Sequence, residues 1–202
     1  MELFHIGKLI IPEASQLEKI YRFIEKFSVR PYPLLFFSLF APAVALINLI
    51  EKPRGGYLTQ QTAYTPQQAY DLLTNYGDAG RRQHLLVSAY DLLLITLFVM
   101  FFSSCITFLY RRITGDRFKA LRALCFVPLV YGAVQLLEVI FTAIALFTFP
   151  GRNDFIFILT NRATEAKFFL TGACVVILLA GFTGLAAKNI ARFFSDKKVQ
   201  RE

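Results

Sequence analysis

Residues 85–110 read LLVSAYDLLLITLFVMFFSSCITFLY, an apolar run with a single charged side chain, Asp91. The run is too long for a buried strand and long enough for a helix that crosses a bilayer, which takes about 20 apolar residues. Asp91 is the exception that carries information. A carboxylate at membrane depth costs roughly 2.5–3.5 kcal/mol on insertion scales, so its presence asks for a partner or a function. Three further apolar runs surround this one, at about 34–50, 124–149 and 168–187. The run at 124–149 also holds a carboxylate, Glu138.

Composition agrees with that reading. Of 202 residues, 55% are hydrophobic, above the 45–50% usual for soluble domains. Mean hydropathy is +0.49. Phe is abundant at 22 residues and Trp is absent, so any aromatic belt at the membrane surfaces falls to Tyr32, Tyr57, Tyr64, Tyr90 and Tyr110. The net charge of +8 lies between the spans, where topology and anionic lipid account for it. It forms no basic stripe of the kind that binds nucleic acid. Cys105, Cys125 and Cys174 fall within or beside apolar runs without Cys-x-x-Cys spacing, which points to packing rather than disulfides, redox chemistry or metal.

Before the first span, Leu17, Ile20, Tyr21, Ile24 and Phe27 recur at helical spacing opposite Glu13, Glu18, Lys19, Arg22, Glu25 and Lys26. The spacing predicts an amphipathic helix that lies at the membrane surface or docks on a partner. Pro31 and Pro33 end it, and the late start of the first span argues for a retained anchor rather than a cleaved signal. Pro42 predicts a kink in the first span, and Pro128 one near the start of the third. Residues 51–84 form the longest polar connection. Within it Thr65-Pro66-Gln67-Gln68 is a capping box with proline at the first helical position, and Gly77 is a stop. Asp78 restarts a helix that continues through Arg81, Arg82 and His84 into the second span. Asp116 caps the third helix, and Thr160 or Asn161 the fourth.

The fold expected is therefore all-α: an antiparallel four-helix transmembrane bundle with an N-terminal amphipathic helix and a small helical outer loop. It divides into a segment 1–31, a transmembrane domain 32–187 and a basic tail 188–202. With four spans, fifteen of the 22 Lys and Arg residues share the side of the termini, which places both termini in the cytoplasm. No Asn-x-Ser/Thr sequon is present, in keeping with a bacterial inner membrane.

Tyr131, Gln135, Glu138 and Thr142 share one helical face, a polar stripe that should turn to the bundle interior. Desolvation would favour neutral Glu138 unless a cation lies near. Two readings stand: Gln135 and Glu138 fix packing between helices, or they form a binding or proton-handling site. Asp91, with Ser88 one turn back and Arg81, Arg82 and His84 above it, reads as an ion-pair partner or the entrance to a site for a cationic or polar head group. It is placed at a different depth from Glu138. His84 is expected to be exposed at the interface, and with only His5 besides it builds no metal site. No triad or phosphate-cradling loop has recognisable spacing.

Gly56-Tyr57, Tyr64-Thr65-Pro66-Gln67-Gln68-Ala69, Leu72-Leu73, Gly77, Gly80-Arg81 and Asp91-Leu92-Leu93 together resemble a pattern in uncharacterised bacterial four-span integral membrane proteins. The likeness spans roughly residues 56–150. In that pattern the third span has an acid three residues before a Glu-Asn pair. Gln135 and Val139 stand at the acid and asparagine positions here, and the resemblance implies no activity. The function expected is that of a non-enzymatic integral membrane protein: an accessory or interaction subunit, or a small-molecule or lipid-binding protein. No cofactor is expected. Its partners would be membrane lipid, other membrane subunits or further copies of itself, not nucleic acid. The alternative is a membrane-embedded enzyme or carrier for a lipid or small amphiphile, with Glu138 as the acid–base or binding group.

Overall fold

A computed structural model describes residues 14–199 apart from 30, 51, 54, 62 and 116–118, with side chains from residue 16 to 195 except 119 and 120. Five α-helices follow in order: α1 (Ala14–Lys26), α2 (Tyr32–Leu49), α3 (Pro66–Thr114), α4 (Val127–Thr148) and α5 (Asp154–Val199). Short 3-10 turns lie at Leu58–Gln60 and Lys119–Phe126. The fold is an all-α bundle, and four helices, α2 to α5, are long and apolar enough to cross a membrane. They make the chain a multi-pass membrane protein. The expected cap at Asp116, the helix position Glu13 and His5 lie outside the described residues.

Sequence and structure agree closely at the start of α3. Thr65 accepts from the Gln68 backbone N–H at 3.3 Å while the Gln68 side chain accepts from the Thr65 N–H at 2.8 Å, a reciprocal cap. The helix breaks at Gly77, whose φ of 61° belongs to the left-handed region that glycine enters without a Cβ penalty. Arg81 splints the break. Its guanidinium reaches back across the bend, donates to the Leu73 carbonyl at 3.0 Å and pairs with Asp78.

The fourth helix departs from expectation. It begins at Asp154, not near Thr160 or Asn161. Asn153 Oδ1 accepts from the Ile156 N–H at 3.3 Å, and Asp154 adds a negative charge at the positive end of the helix. At 46 residues α5 runs about 70 Å, more than twice the hydrocarbon thickness of a bilayer. Pro128 also differs from its reading: it falls in the first turn of α4, where no helical bond is lost. Pro42 does lie inside α2.

Helix packing uses small residues. A Cβ on Gly132 of α4 would stand 2.8 Å from Val99 Cγ2 of α3, so only glycine permits this approach. Phe98, Phe102 and Ile106 of α3 and Cys174 of α5 form the mid-bundle core, and Cys125 packs with Tyr21 and Ile24 of α1. The amphipathic helix α1 thus covers the bundle's own end, tied further by Glu25 to Arg111 at 2.7 Å. The tyrosines are not a belt. Tyr57 and Tyr64 are buried, and the hydroxyls of Tyr90 and Tyr110 donate to Ala43 and Ile177 carbonyls across helix pairs. Tyr32 alone of the five is exposed.

Candidate functional site

Glu138 lies halfway along α4 and is wholly buried, as is Thr142 one turn on. Gln135 is 6% exposed, so the polar stripe faces inward. Opposite it α5 presents a second polar stripe: Thr160, Thr164, Lys167 and Thr171, spaced by four, three and four residues. Lys167 meets Glu138 with both carboxylate oxygens, at 2.9 Å to Oε1 and 2.7 Å to Oε2. Its third N–H donates to the Thr59 carbonyl at 3.0 Å. An ammonium has three donors, and all are spent. The Thr164 hydroxyl donates to Glu138 Oε1 as well.

The arrangement is a neutral, well-bonded ion pair in a low-dielectric interior. Taking both charges out of water is costly, and the cost is offset because all three Lys167 donors find acceptors and Glu138 accepts three hydrogen bonds. The cation that Glu138 requires was in plain view, but Lys167 reads in the sequence as one more basic residue flanking a span. The signal that could have found it is the Thr160-Thr164-Lys167-Thr171 stripe.

The rest of the site is assembled around this pair. Tyr131 stacks on Phe98 with centroids 4.0 Å apart and lies within electrostatic reach of Glu138 and Asp91. Asp91 of α3 is half-buried and within electrostatic reach of both Lys167 and Glu138, and no other described residue hydrogen-bonds it. Asp91, Glu138, Tyr131 and Lys167 therefore share one electrostatic neighbourhood, and Gln135 lies one turn from Glu138 on the same face of α4.

The loop before α3 closes over this interior. Tyr57 and Leu58 are each 1% exposed, and Thr59 carries the carbonyl that Lys167 binds. Burial pushes the Tyr57 hydroxyl pKa up, with the Asp91 charge adding to it. Burial does the same for Tyr64, helped by Glu138. His84 corrects its expected exposure: it is completely buried, 5.3 Å from the Tyr57 ring and 5.7 Å from the Tyr76 ring. The reason is that the loop folds back onto α3, held by the Tyr76 hydroxyl donating to the Gly56 carbonyl at 2.6 Å. Arg81 is committed to the α3 bend and stacks over Phe149, while Arg82 is exposed.

Both His84 ring nitrogens, Ser88 Oγ, Gln135 Oε1, Thr142 Oγ1, Tyr64 Oη and Asn161 Oδ1 are buried without a hydrogen-bond partner among the described residues. Such groups call for ordered water or a polar ligand. Among the described residues no group of three His, Cys, Asp or Glu side chains is placed to hold a metal ion. No family model, curated protein or solved structure matches the chain.

Proposed function

We propose that this is a non-enzymatic integral membrane protein of accessory, interaction or lipid-binding type, with Glu138–Lys167 as the internal clasp of its bundle. One observation carries the reading: Lys167 spends every donor on Glu138 and Thr59. A group so saturated is poor at exchanging protons or grasping a substrate. The clasp joins α4 to α5 and pins the outer loop to both. A bacterial inner membrane, with both termini cytoplasmic, fits the bias of basic residues and the resemblance to bacterial four-span proteins.

Charge-balanced mutagenesis tests this. Glu138→Gln leaves Lys167 buried and unpaired, so the variant loses about 3–5 kcal/mol of stability. Glu138→Gln combined with Lys167→Met restores most of the loss, because neutral side chains of similar size replace a buried pair at little cost. Thermal melting in detergent and oligomer size report folding; mass spectrometry reports co-purified lipid and protein. A double variant that folds normally but loses its co-purified partners would overturn the clasp and favour the enzyme or carrier reading.

A second reading has its own support in Asp91. It is half-buried with no hydrogen-bond partner among the described residues, beside a cation already occupied by Glu138. A cationic or polar head group entering beside Tyr57 would find an acceptor there. Asp91→Asn then abolishes binding of such a ligand while leaving the melting temperature near that of the parent chain.

A further inference from the structure

The opposite end of the bundle holds a second polar feature, independent of the Glu138 clasp. Where α3 ends and α5 leaves the apolar stretch, two grooves meet at Phe108 and Arg112. One, of about 390 Å³, is bounded by Ser28, Val29, Phe108, Arg111 and Arg112. The other, of about 120 Å³, lies between α3 and α5 and adds Leu185, Lys188, Asn189 and Arg192. Residues 185, 188, 189 and 192 share one face of α5, so the basic lining is built by helical spacing.

Three cations converge here with different commitments. Lys188 is anchored: its ammonium donates to the Arg112 carbonyl at 2.6 Å and the Ile113 carbonyl at 2.7 Å, capping the last turn of α3. One of its three donors is left for another acceptor. Arg112 sits 5.6 Å from the Phe108 ring, and no described carboxylate pairs with it or with Arg192. Arg111, by contrast, is spent on Glu25. The groove floor is apolar at Phe108 and Leu185, and Phe182, one turn nearer the bundle's middle, is 52% exposed.

We propose that this groove binds the phosphate of an anionic phospholipid head group, with Arg112, Lys188 and Arg192 on the phosphate and the acyl chains along Phe182. Basic pockets between spans recognise such head groups by charge, while the fork of arginine adds paired donors to phosphate oxygens. A lipid fits better than a soluble phosphate because the cations stand where apolar helix gives way to charge, and the wall beside them is apolar.

The test uses the full chain in maltoside detergent, with binding followed by native mass spectrometry. The probes are dioleoyl phosphatidylglycerol, dioleoyl phosphatidylcholine and inorganic phosphate. Phosphatidylglycerol should be retained in preference to phosphatidylcholine, and inorganic phosphate should not displace it. Each cation near a membrane surface contributes about 1 kcal/mol, roughly fivefold, so Arg112→Gln with Arg192→Gln should weaken retention about 25-fold. Arg162→Gln, at the other end of the bundle, should leave it unchanged. All variants are first matched to the parent in melting temperature; should the double variant melt early, Arg112→Lys with Arg192→Lys, which keeps charge but loses the fork, takes its place with a smaller, severalfold loss. Equal retention of the two lipids, or undiminished binding by the variant, overturns the proposal. Displacement by inorganic phosphate overturns the lipid and identifies a soluble phosphate ligand.

Discussion

A threonine hydroxyl at the clasp shows how much a single atom matters in this interior. Thr164 donates to Glu138 Oε1, a hydrogen bond to a charged acceptor. Such bonds contribute about 1.5–3 kcal/mol, so Thr164→Val, which keeps the shape and removes the donor, should lower stability by that amount in a detergent melt. Thr171→Val, whose hydroxyl donates to the Lys167 carbonyl and meets no carboxylate, should cost less, about 1 kcal/mol. Half of this site was legible in the chain. Tyr131, Gln135, Glu138 and Thr142 declare themselves because a polar stripe stands out within an apolar helix. Lys167 does not, because a lysine at the margin of a span has an adequate explanation in topology. His84 was misplaced for a different reason: its burial depends on the loop at Tyr57 returning across α3, a long-range event that no local pattern encodes.

At the scale of elements, the bend in α3 is the feature on which the outer region turns. Gly77 has φ 61°, and nothing lies within 4 Å of where its Cβ would be. Substitution there meets no clash, so its cost is purely conformational. Gly77→Ala should destabilise by about 1–3 kcal/mol, the cost of holding an L-residue at φ 61° and ψ −174°, a region essentially confined to glycine. Far-UV circular dichroism should meanwhile show unchanged helix content. Arg81→Met should lower stability further by uncovering the Leu73 carbonyl. The stop at Gly77 and the cap at Thr65 were readable because both rest on side chains adjacent in sequence. The start of α5 was not. Phe155–Leu159 reads as an apolar patch in a connection, and only packing of Phe157 against Tyr70, with centroids 4.7 Å apart, shows it as the first turns of a helix.

For the whole molecule the decisive statement is topological. The bundle has one end at Asn75 and another at Ser195, both exposed and both on described helices. Asn75→Cys and Ser195→Cys should react with a membrane-impermeant maleimide from opposite sides, with Ser195→Cys protected in intact cells. Cys125 and Cys174 are buried, and the half-buried Cys105 is replaced by Ser in the parent chain used for labelling. Labelling of both from one side would end the four-span arrangement. The four spans were evident from hydropathy because each is a continuous run of apolar side chains, whereas the packing of α1 onto Cys125 depended on a surface that only the folded bundle creates.

The clasp between α4 and α5 also constrains how the chain is made. A lone carboxylate halfway along a nascent span, as Glu138 is in α4, opposes its transfer from the translocon into lipid by about 2.5–3.5 kcal/mol. Glu138 leaves the ribosome before Lys167, with one short turn between their helices. The third span therefore has every reason to wait at the lateral gate until the fourth arrives, and the two then partition into the bilayer together as a hairpin whose charges cancel.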